Sequence, residues 1–204
     1  MTERVVDFWF EFGSQYSYLS VMRIGAAAAP LGVRVRWRPF LLGPIFRELG
    51  WAGSPFVVQK EKGEYVWKDL ERQARKFALP WRRPSVFPRR AVLPARIALL
   101  GAEQPWGEAF AREAMRLNFV HDREMDAEAA MAQVLQDLGL PAQAILAQAQ
   151  SEGNKLRLRA QTAEARRLGI FGAPTFLVGG EMFWGNDRLE DALAFCVERA
   201  GEDP

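Results

Sequence analysis

The first apolar run, Val5–Phe10 (VVDFWF), is short and rich in β-branched and aromatic residues, the pattern of a buried strand. Gly13-Ser14 punctuates it. Apolar spacing from Tyr16 to Ala29 then predicts a helix, stopped by Pro30 and Gly32. Val33–Phe40 (VRVRWRPF) alternates apolar residues with arginine, the period of a strand with one solvated face. Helical patterns follow at Glu61–Phe77, Ala95–Glu103, Trp106–Leu117, Ala127–Leu138 and Ala142–Ala149, with no convincing strand among them. A helix over Lys155–Leu168 leads to Thr175–Val178 and Glu181–Trp184, a hairpin turned at Gly179-Gly180. Arg188–Ala200 closes the chain as an amphipathic helix.

This order, βαβ, helical block, α, ββ, α, predicts an α/β protein with a thioredoxin-like fold and a large all-helical insertion. Residues 1–42 and 160–204 are expected to form the discontinuous thioredoxin-like domain, and residues 43–159 the insertion. At 204 residues a chain of this kind buries about 70% of its unfolded surface. Half of its residues are hydrophobic and 24 are aromatic, which rules out a disordered chain.

One cysteine, Cys196, and one histidine, His121, change the picture more. They exclude an internal disulfide, a CxxC redox pair and a Cys/His metal site. His121 sits in a polar turn, and Cys196 lies on the apolar side of the last helix, where an inert buried thiol is expected. The net charge of +2 gives no argument for nucleic acid. Lys60 to Arg96 holds 11 basic and four acidic residues, which solvated helix faces explain for the most part. Asp7 and Glu11 interrupt the N-terminal apolar run, so neither a secretory signal nor a membrane segment is expected, and a cytoplasmic location is.

Three places carry candidate chemistry. Ser14 stands between a strand and the helix it feeds; it suits an N-cap, and it equally suits holding an anion or thiolate at the helix N-terminus. With Ser17 it makes SxxS where redox proteins of this fold carry CxxC. Ala173-Pro174, before a strand, reads as ordinary edge chemistry or as a cis-proline loop whose backbone pairs with an extended ligand. Asn186 and Asp187 cap the last helix, or they recognise the carboxylate and ammonium of a zwitterion.

FWFEFGSQYSYL, KGEYVWKDLERQA, GIFGAPTFLV and EMFWGNDRL together resemble the 2-hydroxychromene-2-carboxylate isomerases and kappa-class glutathione transferases, within the DsbA-like thioredoxin superfamily. The resemblance spans nearly the whole chain with its motifs in order. It implies a homodimer that binds glutathione between the two parts of the subunit, and a small aromatic carboxylate as substrate. By it, Ser14 stabilises the glutathione thiolate, the backbone of Ala173 beside Pro174 pairs with the cysteinyl unit, and Asn186 and Asp187 hold the γ-glutamyl end. Lys62 matches a basic position of the insertion, near glutathione or substrate, and Arg90 is a candidate for the substrate carboxylate.

Three departures stand out. Gln15 replaces the proline that usually follows the active-site serine; the Gly50–Phe56 stretch lacks an asparagine that many isomerases carry; and Arg90 stands where another asparagine is common. The reading is therefore a glutathione-dependent isomerase in which thiolate adds reversibly to the substrate. The alternatives are a kappa-type transferase or peroxidase, and a catalytically silent thioredoxin-like protein that binds a peptide or partner.

Overall fold

The computed structural model describes residues 3–51 and 53–202; Ala52, within the Gly50–Phe56 stretch, and the extreme ends of the expected domains lie outside it. Strand β1 (Val5–Phe10) is followed by helix α1 (Gln15–Ala28) and strand β2 (Arg34–Pro39). The two strands pair in parallel, with Val5 opposite Arg34 and Phe10 opposite Pro39, so the opening is a βαβ unit. The insertion contains α2 (Leu42–Glu48), α3 (Pro55–Val58), α4 (Lys60–Lys76), α5 (Val92–Gly101), α6 (Gly107–Phe119), α7 (Glu128–Asp137) and α8 (Ala142–Gln150). Helix α9 (Glu152–Arg167) then runs unbroken past residue 160 to strands β3 (Thr175–Val178) and β4 (Glu181–Trp184), and α10 (Leu189–Glu202) closes the fold.

The four described strands lie in the order β2-β1-β3-β4, with β3 antiparallel to both of its neighbours. Central β1 carries apolar residues on both faces because both are covered, with Asp7 its one polar member, paired with Arg36 and Arg38 of β2. On one face Phe8 stacks on Phe10 and Phe176, with ring centroids 5.2 and 5.3 Å away. On the other, Trp9 meets Phe40 edge-on. The first face opens onto a core that continues through α1 into Phe110, Met115 and Leu146 of the insertion. The second is a smaller cluster of Trp9, Phe40, Ile45, Ile170 and Leu177. Helix α1 is buried on nearly all sides, which suits its run of Tyr18, Leu19, Val21 and Ile24. The hairpin turn at Gly179 and Gly180 has φ of +56° and +97°, a conformation that favours glycine at both positions.

The thioredoxin-like α/β fold with a helical insertion is thus present. The differences from expectation are local. Helices α2 and α3 are too short for periodicity to reveal. Helix α5 starts three residues before Ala95, because Asp126, from a distant loop, accepts the Leu93 N–H at 2.6 Å and supplies a cap that local sequence lacks. The last helix is preceded by a tight 3₁₀ turn over Asn186–Arg188.

Candidate active site

A cleft of about 1160 Å³ opens between the strand–helix loops and the insertion. Ser14 lies on its floor as the N-cap of α1, with extended backbone (φ −82°, ψ 118°). Its Oγ accepts the Ser17 N–H at 3.2 Å and donates to the Ala173 carbonyl at 2.9 Å. The cap reading and the active-site reading of Ser14 therefore describe one geometry. Ser17 is fully buried, and its hydroxyl faces back to the Glu11 N–H at 3.4 Å, so it supports the loop and does not line the cleft.

The Ala173–Pro174 peptide bond is cis. Two ties fix this loop: Thr175 Oγ1 donates to Gly172 O at 2.9 Å, and the Gly185 N–H donates to Pro174 O at 3.0 Å. Gly185 has φ of +116°, open to glycine and strained for other residues, and this turn carries Asn186 and Asp187 to the same wall. Asn186 is buried. Its Oδ1 accepts from Ser20 Oγ at 3.1 Å and Arg23 at 2.9 Å, both on α1, so the amide nitrogen is the group left to face a ligand. Asp187 is exposed and pairs with Arg188 at 3.3 Å.

The opposite wall is different. Lys62, at the start of α4, is exposed with its Nζ 5.8 Å from the Phe56 ring centre. Arg90 is also exposed and pairs with Asp126 at 3.0 Å. Tyr16 donates to Asp69 at 2.7 Å, linking α1 to α4 across the cleft. Nine of the 11 basic residues between Lys60 and Arg96 are exposed, in keeping with solvated faces. The exception at the cleft is Arg89, buried and bonded to Asn118 and Asp122 at 2.7 Å each. The neighbouring Ser85 N–H and this guanidinium hold the Asp122 carboxyl down to about 2. Sequence reading missed Arg89, because Asn118 and Asp122 lie about thirty residues away. His121 is exposed in a turn outside the cleft, and Cys196 is buried, where lost hydration pushes its thiol up. The described residues hold no cluster of three or more metal-ligating side chains.

Sequence reading also missed Glu11, in the loop before Ser14. Glu11 lines the cleft, and its carboxyl folds over Gly13, with oxygens 3.2 and 3.4 Å from where a Gly13 Cβ would stand. Part of the residue reaches the cleft, yet protein crowds the carboxyl enough to strip most of its water. That burial pushes it up to about 7, against the opposing pull of the Gly13 and Ser14 N–H groups. The signal in the sequence was a lone acid between two phenylalanines, FEFGS.

A serine-capped helix facing a cis-proline loop defines a thioredoxin-type site without its own thiol. Residues 5–194 match the DSBA-like thioredoxin domain family. The 2-hydroxychromene-2-carboxylate isomerase of Pseudomonas putida is 32% identical over 191 residues, covering 91% of this chain and 90% of that protein. A solved structure of 2-hydroxychromene-2-carboxylate isomerase superposes with a TM-score of 0.86 at 27% identity, covering 98% of this chain and all of that one. Glutathione S-transferase kappa 2 of Caenorhabditis elegans is 26% identical over 210 residues, covering 96% of this chain and 92% of that protein. The chain belongs to the 2-hydroxychromene-2-carboxylate isomerase and kappa-class glutathione transferase family of DSBA-like thioredoxin proteins.

Proposed function

We propose that the chain is a glutathione-dependent isomerase acting on an unsaturated aromatic carboxylate of the 2-hydroxychromene-2-carboxylate type. The observation that carries this reading is the Ser14 hydroxyl, held 2.9 Å from Ala173 O at the N-terminus of a buried helix. When bound, glutathione supplies the thiolate that adds reversibly to the substrate and so permits rotation about the former double bond.

The residues present fit that ligand. Among the described residues the N–H groups of Ala173, Gln15 and Tyr16 make no bond within the chain, which leaves donors for a peptide and an anion. Ala173 would pair with the cysteinyl unit through both its N–H and its carbonyl. A ligand N–H on Ala173 O displaces the Ser14 hydroxyl from that oxygen and frees its one proton to donate to sulfur. Asn186, its oxygen fixed by Ser20 and Arg23, offers its amide N–H groups to the γ-glutamyl carboxylate, and Asp187 takes the ammonium. Lys62 and Arg90, on the opposite wall, hold the substrate carboxylate. Phe46, Trp51 and Phe56 give that wall the apolar surface an aromatic ring needs.

Relatives of kappa class support a second reading, a transferase that consumes glutathione. Calorimetry with glutathione, followed by spectroscopic turnover of 2-hydroxychromene-2-carboxylate, separates the possibilities. Isomerisation that requires glutathione but leaves its concentration unchanged is expected. Loss of one glutathione per product points to the transferase, and no binding at millimolar ligand refutes both enzymes.

A further inference from the structure

Resting on the glutathione reading, we propose that the Glu11 carboxyl holds the proton given up by the bound thiol and returns it when the thiol re-forms. Thiolate formation needs a proton acceptor, and Ser14 is not one. Its oxygen already accepts the Ser17 N–H, and among the described residues no histidine hydrogen-bonds it to relay a proton. The sole histidine, His121, lies outside the cleft.

The acids of the cleft are then Glu11, Asp69 and Asp187. Asp69 is engaged by the Tyr16 hydroxyl, and Asp187 is exposed and paired with Arg188. Among the acids of the cleft Glu11 alone adjoins Ser14: its backbone carbonyl receives the Ser14 N–H at 3.1 Å, and its carboxyl rests against Gly13. The cations of the cleft are committed or distant in role. Arg89 is bound to Asp122, Arg90 to Asp126 and Arg188 to Asp187, and Lys62 lies over Phe56. Neither these nor Arg47, on α2, forms an ion pair with Glu11 among the described residues, and Tyr65, on α4, is exposed. A crowded carboxyl with no cation is costly when ionised and is at home as an acid, with a pKa of about 7 that suits a proton carrier.

The step balances simply. Glu11 carboxylate accepts the thiol proton: its O–H bond forms as the S–H bond breaks, and the electron pair stays on sulfur. Net charge is unchanged at one negative charge for the pair. A thiolate beside Glu11 raises the carboxyl further, so the two groups share one proton and titrate together. The reverse transfer restores both groups when sulfur leaves the substrate.

The test uses glutathione itself, in weak buffer at mildly alkaline pH, where Glu11 enters ionised. Thiolate absorbance and proton release to an indicator dye are read together. Wild type is expected to form thiolate while releasing well under one proton per site. Glu11→Gln, which keeps an acceptor oxygen for the loop N–H groups, is expected to release one proton per thiolate. Its thiolate also titrates at lower pH, because the neighbouring negative charge is gone, yet its turnover falls at least about ten-fold. Glu11→Asp moves proton release back toward wild type. One proton per thiolate released by wild type overturns the proposal, and so does a Glu11→Gln protein with wild-type release and pH profile. Both outcomes differ from absence of glutathione binding heat, which removes the cofactor reading and this proposal with it.

Discussion

The two walls of the cleft are built on opposite terms. On the wall of the strand–helix loops, Ser14, Ala173 and Asn186 are buried or half-buried, and each is held by hydrogen bonds to another part of the fold. On the insertion wall, Lys62 and Arg90 are exposed, and their partners are an aromatic ring and a partly buried carboxylate. A wall of the first kind is pre-organised: it loses little freedom on binding and suits a ligand that never changes. A wall of the second kind keeps its side chains free to turn, and it suits the end of the reaction that differs between relatives. The ligand held by the first wall is proposed to be glutathione, and that held by the second to be the substrate.

The contrast breaks most sharply at Ser14. If the first wall acts by fixed donors, Ser14→Ala is expected to lower kcat/KM by about 10²-fold, the loss typical of one pre-organised donor to a developing anion. Loss of the cap should cost only about 1 kcal/mol of stability, so the folded fraction stays high. Steady-state kinetics beside thermal melts measures both. Equal losses in activity and folding would make Ser14 a cap alone.

Glu11 belongs to the same wall but is the one member held at a cost. Its carboxyl stands at about 7 in the folded chain against an ordinary 4.5. Between those values the native chain binds a proton that the unfolded chain has released. Stability therefore falls as pH rises through that window, and it stays lower above it. Glu11→Gln removes this penalty: it is expected to be more stable than wild type by about 3 kcal/mol in mildly alkaline solution, with the gain gone near pH 4. Denaturant melts across pH read the difference directly. A variant that gains stability while losing turnover marks a group kept for function.

Much of the first wall was legible because its signals are local. A strand, a Gly-Ser break and a helix place Ser14, and Pro174 before a strand places the loop opposite it. The insertion hid more. Its short helices α2 and α3 fall below the length at which a period can be counted, and α5 takes its cap from Asp126, 33 residues away. Arg89 and Arg90 are indistinguishable as neighbours in sequence, yet tertiary contacts bury one against Asn118 and leave the other at the rim. Glu11 read as a break in an apolar run; only its packing over Gly13 sets it apart.

The second wall should respond more weakly. Lys62→Ala and Arg90→Ala are each expected to raise the substrate KM by about five-fold, with glutathione affinity unchanged, since exposed charges contribute about 1 kcal/mol. High salt should erode both effects, because solvated charges are screened. A hundred-fold loss from either variant, insensitive to salt, would show a fixed contact and dissolve the distinction between the walls.

The smallest effect tests how the first wall holds its anion. Gln15 occupies the first helical position after Ser14, where the family pattern it resembles has proline. Among the described residues neither its N–H nor its buried Nε2 has a partner. Proline at this position removes no intrahelical bond, restricts the unfolded chain and disposes of the unpaired amide. Against that stands the space left by the shorter side chain. Gln15→Pro is therefore expected to stabilise the fold by about 0.5 kcal/mol, seen as a small rise in melting midpoint. Glutathione affinity is the sharper readout. If the Ser14 hydroxyl and the Tyr16 N–H hold the sulfur, affinity and thiolate titration remain within about two-fold of wild type. If the Gln15 N–H is a third donor, its removal weakens binding by roughly ten-fold, as the loss of a charge-assisted bond does. In that second case this chain holds its thiolate with a donor that proline at this position cannot supply.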